Sequence, residues 1–435
     1  FCTNPKYITP LLNDIKKQAA KADKSRSIDK DIIAAIKKNQ VMRTSASPEI
    51  AGINESIVNI ANELRAVAGC CTSTAWCLWN HLCTFHHFAG LLGRENINLL
   101  AKLVRKHEWV CFPAGAATRV QGTKSKNSVE LNGVASFGSG ARYAEWAGVV
   151  FNDDSTDSPQ FAFADLRLPG VQVEKTWEAM SLRASATDHI HYSQTKIPSS
   201  LVVQWPFKYR EHFRNPETSM IHHRYREDWV AISVMWLGSM ATGLVEAAFE
   251  ESVKNIKDRV AIFGTKMNEK STIHINLGRT RTLLNSATDT VYAAMRETDS
   301  RIENNLFPTE EDYFRQCAAG MQTVQLCDES LKLILRTIGG NGLREGTNFE
   351  RWYRDFQAMP LHINGHIDRI TEQVGRLALG LETAKANNAD ILIGTDPDAD
   401  RLGVAVKDYT NKYELLNGNQ LMAVMINFLL NKLKS

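Results

Sequence analysis

Hydrophobic positions recur at the period of an α-helix in the first and last thirds of this chain. Near the start, Ile8, Leu12 and Ile15 fall on one face of a predicted helix. The same period returns after residue 228 in three long runs. The pattern predicts helices over 230–256, 273–298 and 310–338.

Between these helical parts, from about residue 109 to 203, glycine and β-branched residues predominate. Short alternating runs typical of strands occur at 128–131, 148–151 and 161–163, and clusters of turn residues separate them. This pattern predicts a small antiparallel β domain, a barrel or a sandwich. The chain is therefore predicted to be mainly α with a middle β domain.

Two stretches lack Asp, Glu, Lys and Arg over a length that raises the question of a membrane span, namely 66–93 and 229–245. Both contain Ser, Thr, Asn or Gly, and neither has the flanking aromatic and basic residues of a span. We expect helices buried inside a bundle, where every face of a helix meets other protein.

Composition narrows the class of protein. The 435 residues are 43% hydrophobic and 23% charged, which is typical of a globular protein, and the net charge of +3 gives no reason to expect a nucleic-acid or membrane partner. The eight cysteines show no paired CxxC spacing of a metal site. We expect reduced core thiols and a cytoplasmic protein.

Three segments carry candidate chemistry. In the first, Ser136, Phe137 and Ser139 lie among glycines, so the backbone can approach a flat ligand closely while hydroxyls bond its polar edge. In the second, Arg183 and Ser185 bring polar groups beside a tryptophan. The third contains a glycine-rich helix end that suits an anion; its glycines are Gly339, Gly340 and Gly342.

Taken in order, these segments resemble the acyl-CoA dehydrogenase superfamily over about residues 5–382. The resemblance implies an N-terminal helical domain, a middle β domain and a C-terminal four-helix bundle, assembled as a homotetramer that binds flavin. The predicted domains are 1–108, 109–205, 206–382 and a further 383–435.

The resemblance also implies cofactor contacts. Phe137 and Ser139 match the family positions that lie against the flavin ring and bond its N5 region. Arg259 and Phe263 resemble the segment that reaches a flavin phosphate across a subunit interface. The triple-glycine segment at 339–342 resembles the one that contacts the flavin of a neighbouring subunit.

One position departs from the dehydrogenases. Where many of them carry a catalytic Glu, a gapless alignment places Asn364, which cannot act as a general base. Glu246 or Glu227 on the bundle remains a candidate for that base. The segments at 71–87, 135–146 and 180–190 look instead like the flavin-dependent monooxygenases of the same fold.

That branch implies a two-component monooxygenase. Such an enzyme takes reduced FMN or FAD from a separate reductase, reacts with O₂ through a C4a-hydroperoxide and oxidises a small aromatic or amine substrate. A histidine would serve as its acid or base, and His366 is the first candidate, followed by His362 and His86. An acyl-CoA dehydrogenase and an inactive chimeric scaffold remain as alternatives.

The last residues belong to a different pattern. Two strand-like runs, 389–394 and 402–406, flank an acidic turn, and a helix is predicted over 421–430. The turn resembles the magnesium-binding segment of phosphoglucomutases and phosphomannomutases. We expect that Asp396, Asp398 and Asp400 can converge on one Mg²⁺ in a short α/β fragment without mutase activity.

Overall fold

The computed structural model describes residues 4–113, 118–153, 159–204, 220–260, 264–362, 365–378, 391–395, 402–407 and 413–416, with residues 420, 422, 423, 426 and 427. Residues 1–370 form one compact unit and residues 371–435 another. The predicted boundary at 382/383 lies outside the described residues.

The first part of the chain is helical, as predicted. Asp29 and Ser56 cap the second and third helices, because their side chains accept hydrogen bonds from backbone N–H groups of the first turn. The helices are α1 (Leu12–Ser25), α2 (Lys30–Lys38), α3 (Ile57–Cys70), α4 (Thr72–Leu92) and α5 (Ile97–Lys106).

Helix α4 is buried along its length, and Asn80 is its one residue that is not buried. Trp76 and Trp79, in its first half, pack into the core that the helices share. Phe85 and Phe88, in its second half, pack into the core of the β domain. The absence of charge in this stretch is therefore explained by contact with protein on every side.

The middle domain is a mixed eight-stranded sheet. Strands occur at all three predicted places, but the prediction of a purely antiparallel sheet is wrong. Two pairs, β1 with β4 and β2 with β4, run parallel, since the chain between them crosses over instead of turning back. The strands are β1 (Val110–Cys111), β2 (Arg119–Lys124), β3 (Ser128–Gly138), β4 (Trp146–Asp153), β5 (Pro159–Asp165), β6 (Val171–Glu174), β7 (Asp188–Pro198) and β8 (Val202–Gln204), and their order is β6-β7-β3-β2-β4-β5-β8, with β1 beside β4.

Three long helices follow, and all three confirm the predicted runs: α6 (Trp229–Lys257), α7 (Ser271–Glu303) and α8 (Glu310–Ile338). They pack against one another, and α3 packs against α6. Within the described residues α6 alone is long and apolar enough to cross a membrane, yet 89% of its most apolar stretch is buried in the protein. Shorter helices complete the unit and lead into the next: α9 (Asn348–Phe356), α10 (Ala358–Leu361) and α11 (Asp368–Ala378).

The second unit contains a three-stranded antiparallel sheet of order β11-β10-β9, built from β9 (Ile391–Thr395), β10 (Leu402–Lys407) and β11 (Tyr413–Leu416). The two predicted strands are confirmed, and β11 is an addition to the prediction. Asp396, Asp398 and Asp400 lie outside the described residues, as does most of the predicted helix over 421–430.

The seven cysteines within the described residues are all free, and six of them are buried. Burial raises the pKa of the Cys83 thiol to about 12, because a thiolate would lose its hydration in the core. The free thiols of the described residues agree with the prediction of reduced core cysteines.

Candidate active site

A cavity of about 750 Å³ lies in the first unit, where α4, the end of β3, the start of α6 and the α9–α10 segment come together. This volume is within the range of small-molecule pockets. Most of its wall is apolar. The lining residues are Trp76, Trp79, Asn80, Cys83, Thr84, Phe112, Phe137, Ser139, Trp177, Ala179, Met180, Ser181, Leu182, Thr187, Trp229, Ser233, Gln357, Ala358, Leu361 and His362.

One wall of the cavity is an aromatic cluster. Trp76 and Trp79 are three residues apart on α4 and therefore share a face of the helix, with ring centroids 4.8 Å apart. The His362 ring meets both indoles edge-on, at centroid distances of 5.3 and 5.2 Å. Packing between two indoles fixes the plane of this imidazole.

Another part of the wall contains residues in unusual backbone conformations. Phe137 has a φ of 64° and Leu182 a φ of 49°, in the left-handed region that residues with a side chain rarely adopt. Phe137 is 47% exposed, and its ring meets Trp177 edge-on at 6.3 Å. Strain of this kind persists where the fold must present a side chain to a ligand.

A chain of buried hydroxyls leads to this wall. The indole Nε1 of Trp76 donates to Ser139 Oγ at 3.0 Å. Ser139 Oγ lies 3.1 Å from Thr187 Oγ1, which lies 2.7 Å from Ser185 Oγ. Ser139 and Thr187 line the cavity, whereas Ser185 stands behind them.

Two buried polar atoms on lining residues have no hydrogen-bond partner among the described residues: Asn80 Oδ1 and Trp229 Nε1. Leaving such an atom without a partner costs about 1–3 kcal/mol. One acceptor and one donor are therefore left in a wall that is otherwise apolar, where a ligand with polar substituents can satisfy them.

No described residue that lines the cavity is Asp or Glu. The two glutamates considered as dehydrogenase bases are held elsewhere. Glu227 is buried and accepts from Arg301 and Gln316, and Glu246 accepts two hydrogen bonds from Arg281. Both carboxylates are held by other side chains, and neither one lines the cavity.

Of the predicted catalytic residues, Ser139 and His362 line the cavity and the other two do not. His366 has a side chain that is 53% exposed and lies 3.9 Å from Asp368. The backbone N–H of Gly365 donates to the carbonyl of His362 at 2.7 Å, and neither Gly365 nor His366 is among the residues that line the cavity.

His86 lies in the core of the first unit, away from the cavity wall. Its Nε2 pairs with the carbonyl of Glu227 at 3.0 Å, and burial lowers its pKa to about 3. The buried environment therefore favours the neutral form of the His86 imidazole.

Only some of the predicted cofactor residues line the cavity. Phe137 lines the cavity, and Ser185 supports it through Thr187. Ser136 and Arg183 do not line it; the backbone N–H of Ser136 donates to Thr118, and the guanidinium of Arg183 lies 3.5 Å from Asp23.

Arg259 and the glycine segment form a separate place at one end of the bundle. The guanidinium of Arg259 donates to the carbonyl of Ile338, directly before Gly339. A Cβ added at Gly339 or Gly340 would meet no described atom within 4 Å. Phe263 lies outside the described residues. The predicted contact of this end with the flavin of a neighbouring subunit stays a prediction.

Several lining residues were not predicted as site residues. Asn80 and Trp229 look like interior positions of apolar helices, and Gln357 carries no motif. A signal was present for Asn80, because an amide in an uncharged buried helix needs a partner. Thr187 belongs to the same polar segment as Arg183 and Ser185, but no role was predicted for it.

The chain is similar to known proteins in sequence and in fold. Residues 235–366 match the family described as Acyl-CoA dehydrogenase, C-terminal domain. The Pigment production hydroxylase of Rhodococcus sp. (strain ATCC 21145) is 22% identical over 382 residues, which cover 85% of this chain and 95% of that protein. The oxygenase component of p-hydroxyphenylacetate 3-hydroxylase from Acinetobacter baumannii is 21% identical over 390 residues, 86% of this chain and 88% of that one.

A solved structure, XiaF from Streptomyces sp. in complex with FADH2 and glycerol, superposes with a TM-score of 0.78 at 18% identity and covers 86% of this chain and 94% of that one. The chain therefore has the acyl-CoA dehydrogenase-like fold, and the predicted resemblance and fold are confirmed. The two similar proteins named above are a hydroxylase and the oxygenase component of a hydroxylase.

A second, separate match is to the phosphoglucomutase of Staphylococcus aureus (strain USA300), 48% identical over 48 residues. It covers 11% of this chain and 9% of the mutase. The predicted resemblance to a phosphohexomutase fragment is therefore confirmed as a short segment. The magnesium site stays a prediction.

Proposed function

We propose that this chain is the oxygenase component of a two-component flavin-dependent monooxygenase that oxidises a small aromatic or amine substrate. The observation that carries the proposal is the composition of the cavity wall. It combines an aromatic cluster, a histidine and a buried serine hydroxyl, and no described lining residue is a carboxylate.

The cavity fits a flavin ring. Phe137 and Trp177 offer apolar surface on a strained wall, and the hydroxyls of Ser139 and Thr187 offer hydrogen bonds to a polar ring edge. These residues would hold the ring. A reduced flavin bound there would supply the electrons for the reduction of O₂ as one oxygen atom passes to the substrate.

The remaining wall suits the substrate. Trp76, Trp79 and Trp229 present aromatic faces to a flat molecule and exclude water from it. Asn80 Oδ1 is an acceptor without a partner, which suits a substrate hydroxyl or amine hydrogen. His362, which packs edge-on against two indoles in the same wall, would take a proton from the substrate hydroxyl or amine, or return one to it.

This cavity disfavours α,β-dehydrogenation of an acyl-CoA. That reaction needs a base at the substrate α-carbon, and the carboxylates considered for it are bonded to other groups away from the cavity. Asn364, at the family position of the base, lies outside the described residues, and an amide cannot take the proton in any case.

We also propose a separate flavin reductase as partner, a homotetramer as the assembly, either reduced FMN or FAD as cofactor, and a cytoplasmic location. The name of the Acinetobacter baumannii relative, an oxygenase component, supports the reductase. The family resemblance supports the tetramer. Free, buried cysteines are what a reducing compartment favours.

The test supplies the purified chain with photoreduced FMN or FAD under anaerobic conditions and measures binding by ultrafiltration. Admission of ¹⁸O₂ with a panel of phenols, aromatic amines and sulfur heterocycles should then give a product that carries one ¹⁸O by mass spectrometry. In a parallel sample with oxidised FAD, a chain whose bound FAD is bleached by an acyl-CoA under anaerobic conditions, and which labels no product, would be a dehydrogenase. A chain that binds no flavin would support the scaffold alternative.

A further inference from the structure

The Trp76 side chain contacts both the aromatic cluster around His362 and the hydroxyl of Ser139. Its ring belongs to the aromatic cluster around His362, with a centroid distance of 5.3 Å. Its Nε1 reaches across to Ser139 Oγ at 3.0 Å, and Trp76 is only 4% exposed and Ser139 6%. The neighbouring Trp79 also has a bonded indole nitrogen, but this one donates to the carbonyl of Ser233 at 3.0 Å.

The direction of the Trp76 hydrogen bond is fixed by chemistry. An indole N–H can only donate, whereas a hydroxyl has one hydrogen and two lone pairs. Ser139 must therefore accept from Trp76, and its own hydrogen cannot point toward α4. That hydrogen has two places left, Thr187 Oγ1 at 3.1 Å or a ligand in the cavity.

Thr187 can accommodate either choice. Its hydroxyl lies 2.7 Å from Ser185 Oγ and 3.1 Å from Ser139 Oγ. Thr187 can accept from Ser185 and donate to Ser139, or accept from Ser139 and donate to Ser185. When a ligand offers an acceptor, the first arrangement gives Ser139 two incoming hydrogen bonds and leaves its hydrogen free for that ligand.

We propose that Trp76 is a positioning residue that makes Ser139 a hydrogen-bond donor to a cavity ligand, with Thr187 and Ser185 as the reversible part of the chain. The inference rests on the proposed function in one respect, that the ligand is a flavin. Because the Trp76 ring also contacts the substrate wall, the same side chain links the place of the substrate to the donor for the cofactor.

The first experiment tests the hydrogen bond without flavin. In the whole chain labelled with ¹⁵N-tryptophan, the Trp76 indole N–H signal is assigned by its loss in Trp76→Phe, and the Trp79 signal by its loss in Trp79→Phe. Ser139→Ala should shift the Trp76 signal and leave the Trp79 signal in place. If the Trp76 signal does not shift in Ser139→Ala, the hydrogen bond between Trp76 and Ser139 is absent and the proposal is wrong.

The second experiment measures the affinity for reduced FMN in a double-mutant cycle. Trp76→Phe keeps an aromatic ring and removes the N–H, and both it and Ser139→Ala should weaken binding about three- to tenfold, the effect of one hydrogen bond. The double variant should be no weaker than Ser139→Ala alone, because the two residues act through one bond. Ser139→Thr, which keeps the hydroxyl, should restore the affinity.

Trp79→Phe is the matched control, since it removes an indole N–H from the same helix and the same cavity wall. The effects of Trp79→Phe and Ser139→Ala on the affinity for reduced FMN should be additive in the double variant, because these two residues are not hydrogen-bonded to each other. Additive effects for Trp76→Phe would overturn the proposal. A wild-type chain that binds no flavin would overturn the proposed function, and the indole signal would still decide the link between Trp76 and Ser139.

Discussion

At the scale of single residues, the chemistry of the cavity depends on which side chains of a short segment face it. Sequence comparison favoured His366 over His362, because a gapless alignment places His366 beside the family base position. In the structure His362 lines the cavity, whereas His366 does not line it and has a side chain that is 53% exposed. The catalytic role of either histidine stays a prediction. An alignment counts residues along the chain, but only the tertiary structure shows which of them line a cavity.

His362→Gln should lower kcat for product formation about 100-fold, because glutamine fills similar space but cannot exchange a proton at neutral pH. Affinity for reduced flavin should stay within about threefold, since Ser139 and Phe137 are unchanged. Steady-state assays of ¹⁸O-labelled product, with His366→Gln as the matched control, check this expectation. An equal loss in both variants would remove His362 from its assigned role.

Asp355, at the end of α9, is a second residue whose effect is local and measurable. Its carboxyl group accepts from the backbone N–H of Leu182 at 2.7 Å and so fixes the strained wall of the cavity. Burial raises the pKa of Asp355 to about 7, although the Leu182 N–H and two nearby arginines act in the opposite direction. The carboxyl group is therefore protonated in the folded chain at pH values where it is ionised in the unfolded chain.

The contribution of Asp355 to the free energy of unfolding should be complete below about pH 4 and fall as the pH rises toward 7, by up to about 1.4 kcal/mol per pH unit. Asp355→Asn keeps a carbonyl acceptor for Leu182 and cannot ionise. Urea unfolding between pH 4.5 and 7 should show a smaller decline for the variant than for the wild type. Parallel curves would mean that Asp355 does not titrate in this range.

At the scale of elements, close helix contacts explain sequence features that have no chemical role. Helices α3 and α6 approach so closely at Gly243 that a Cβ there would lie 2.1 Å from the carbonyl oxygen of Arg65. A Cβ added at Gly69, on α3, would lie 3.1 Å from the carbonyl oxygen of Gly243. Small residues inside the uncharged stretch of α6 are therefore a requirement of packing.

Gly243→Ala should lower the free energy of unfolding by about 1–3 kcal/mol, because two backbones must separate to admit a methyl group. Gly278→Ala, on α7, is the matched control, since a Cβ there meets no described atom within 4 Å. It should raise stability by up to about 1 kcal/mol through helix propensity. Thermal or urea unfolding measures both, and an equal effect of the two changes would contradict the close approach.

At the scale of the whole molecule, the chain contains two compact units, residues 1–370 and 371–435. All described residues that line the cavity lie in the first of them. The monooxygenase relatives cover 85% and 86% of this chain, and the phosphoglucomutase segment covers 11%. The mutase-like segment therefore contributes no described residue to the cavity wall.

Removal of residues 391–435 should leave the affinity for reduced flavin within about twofold and the unfolding midpoint of the remaining chain unchanged, because the cavity and its supports lie in the first unit. Ultrafiltration and thermal unfolding of the shortened chain against the full chain test this. A shortened chain that aggregates or loses flavin would show that the second unit supports the first.

The sequence by itself predicted the order of helical and β parts and the three long helices, and it gave Ser139 and Phe137, which line the cavity, as candidate site residues. These follow from hydrophobic period and from short motifs, which act over a few neighbouring residues. Tertiary structure alone decided the parallel strand pairs, the position of His362 in the cavity wall, and the burial of Asn80 Oδ1 and Trp229 Nε1 without a hydrogen-bond partner among the described residues. It also decided the bond between Trp76 and Ser139, 63 residues apart in the chain. Such contacts depend on how distant elements pack, and no local pattern encodes that arrangement.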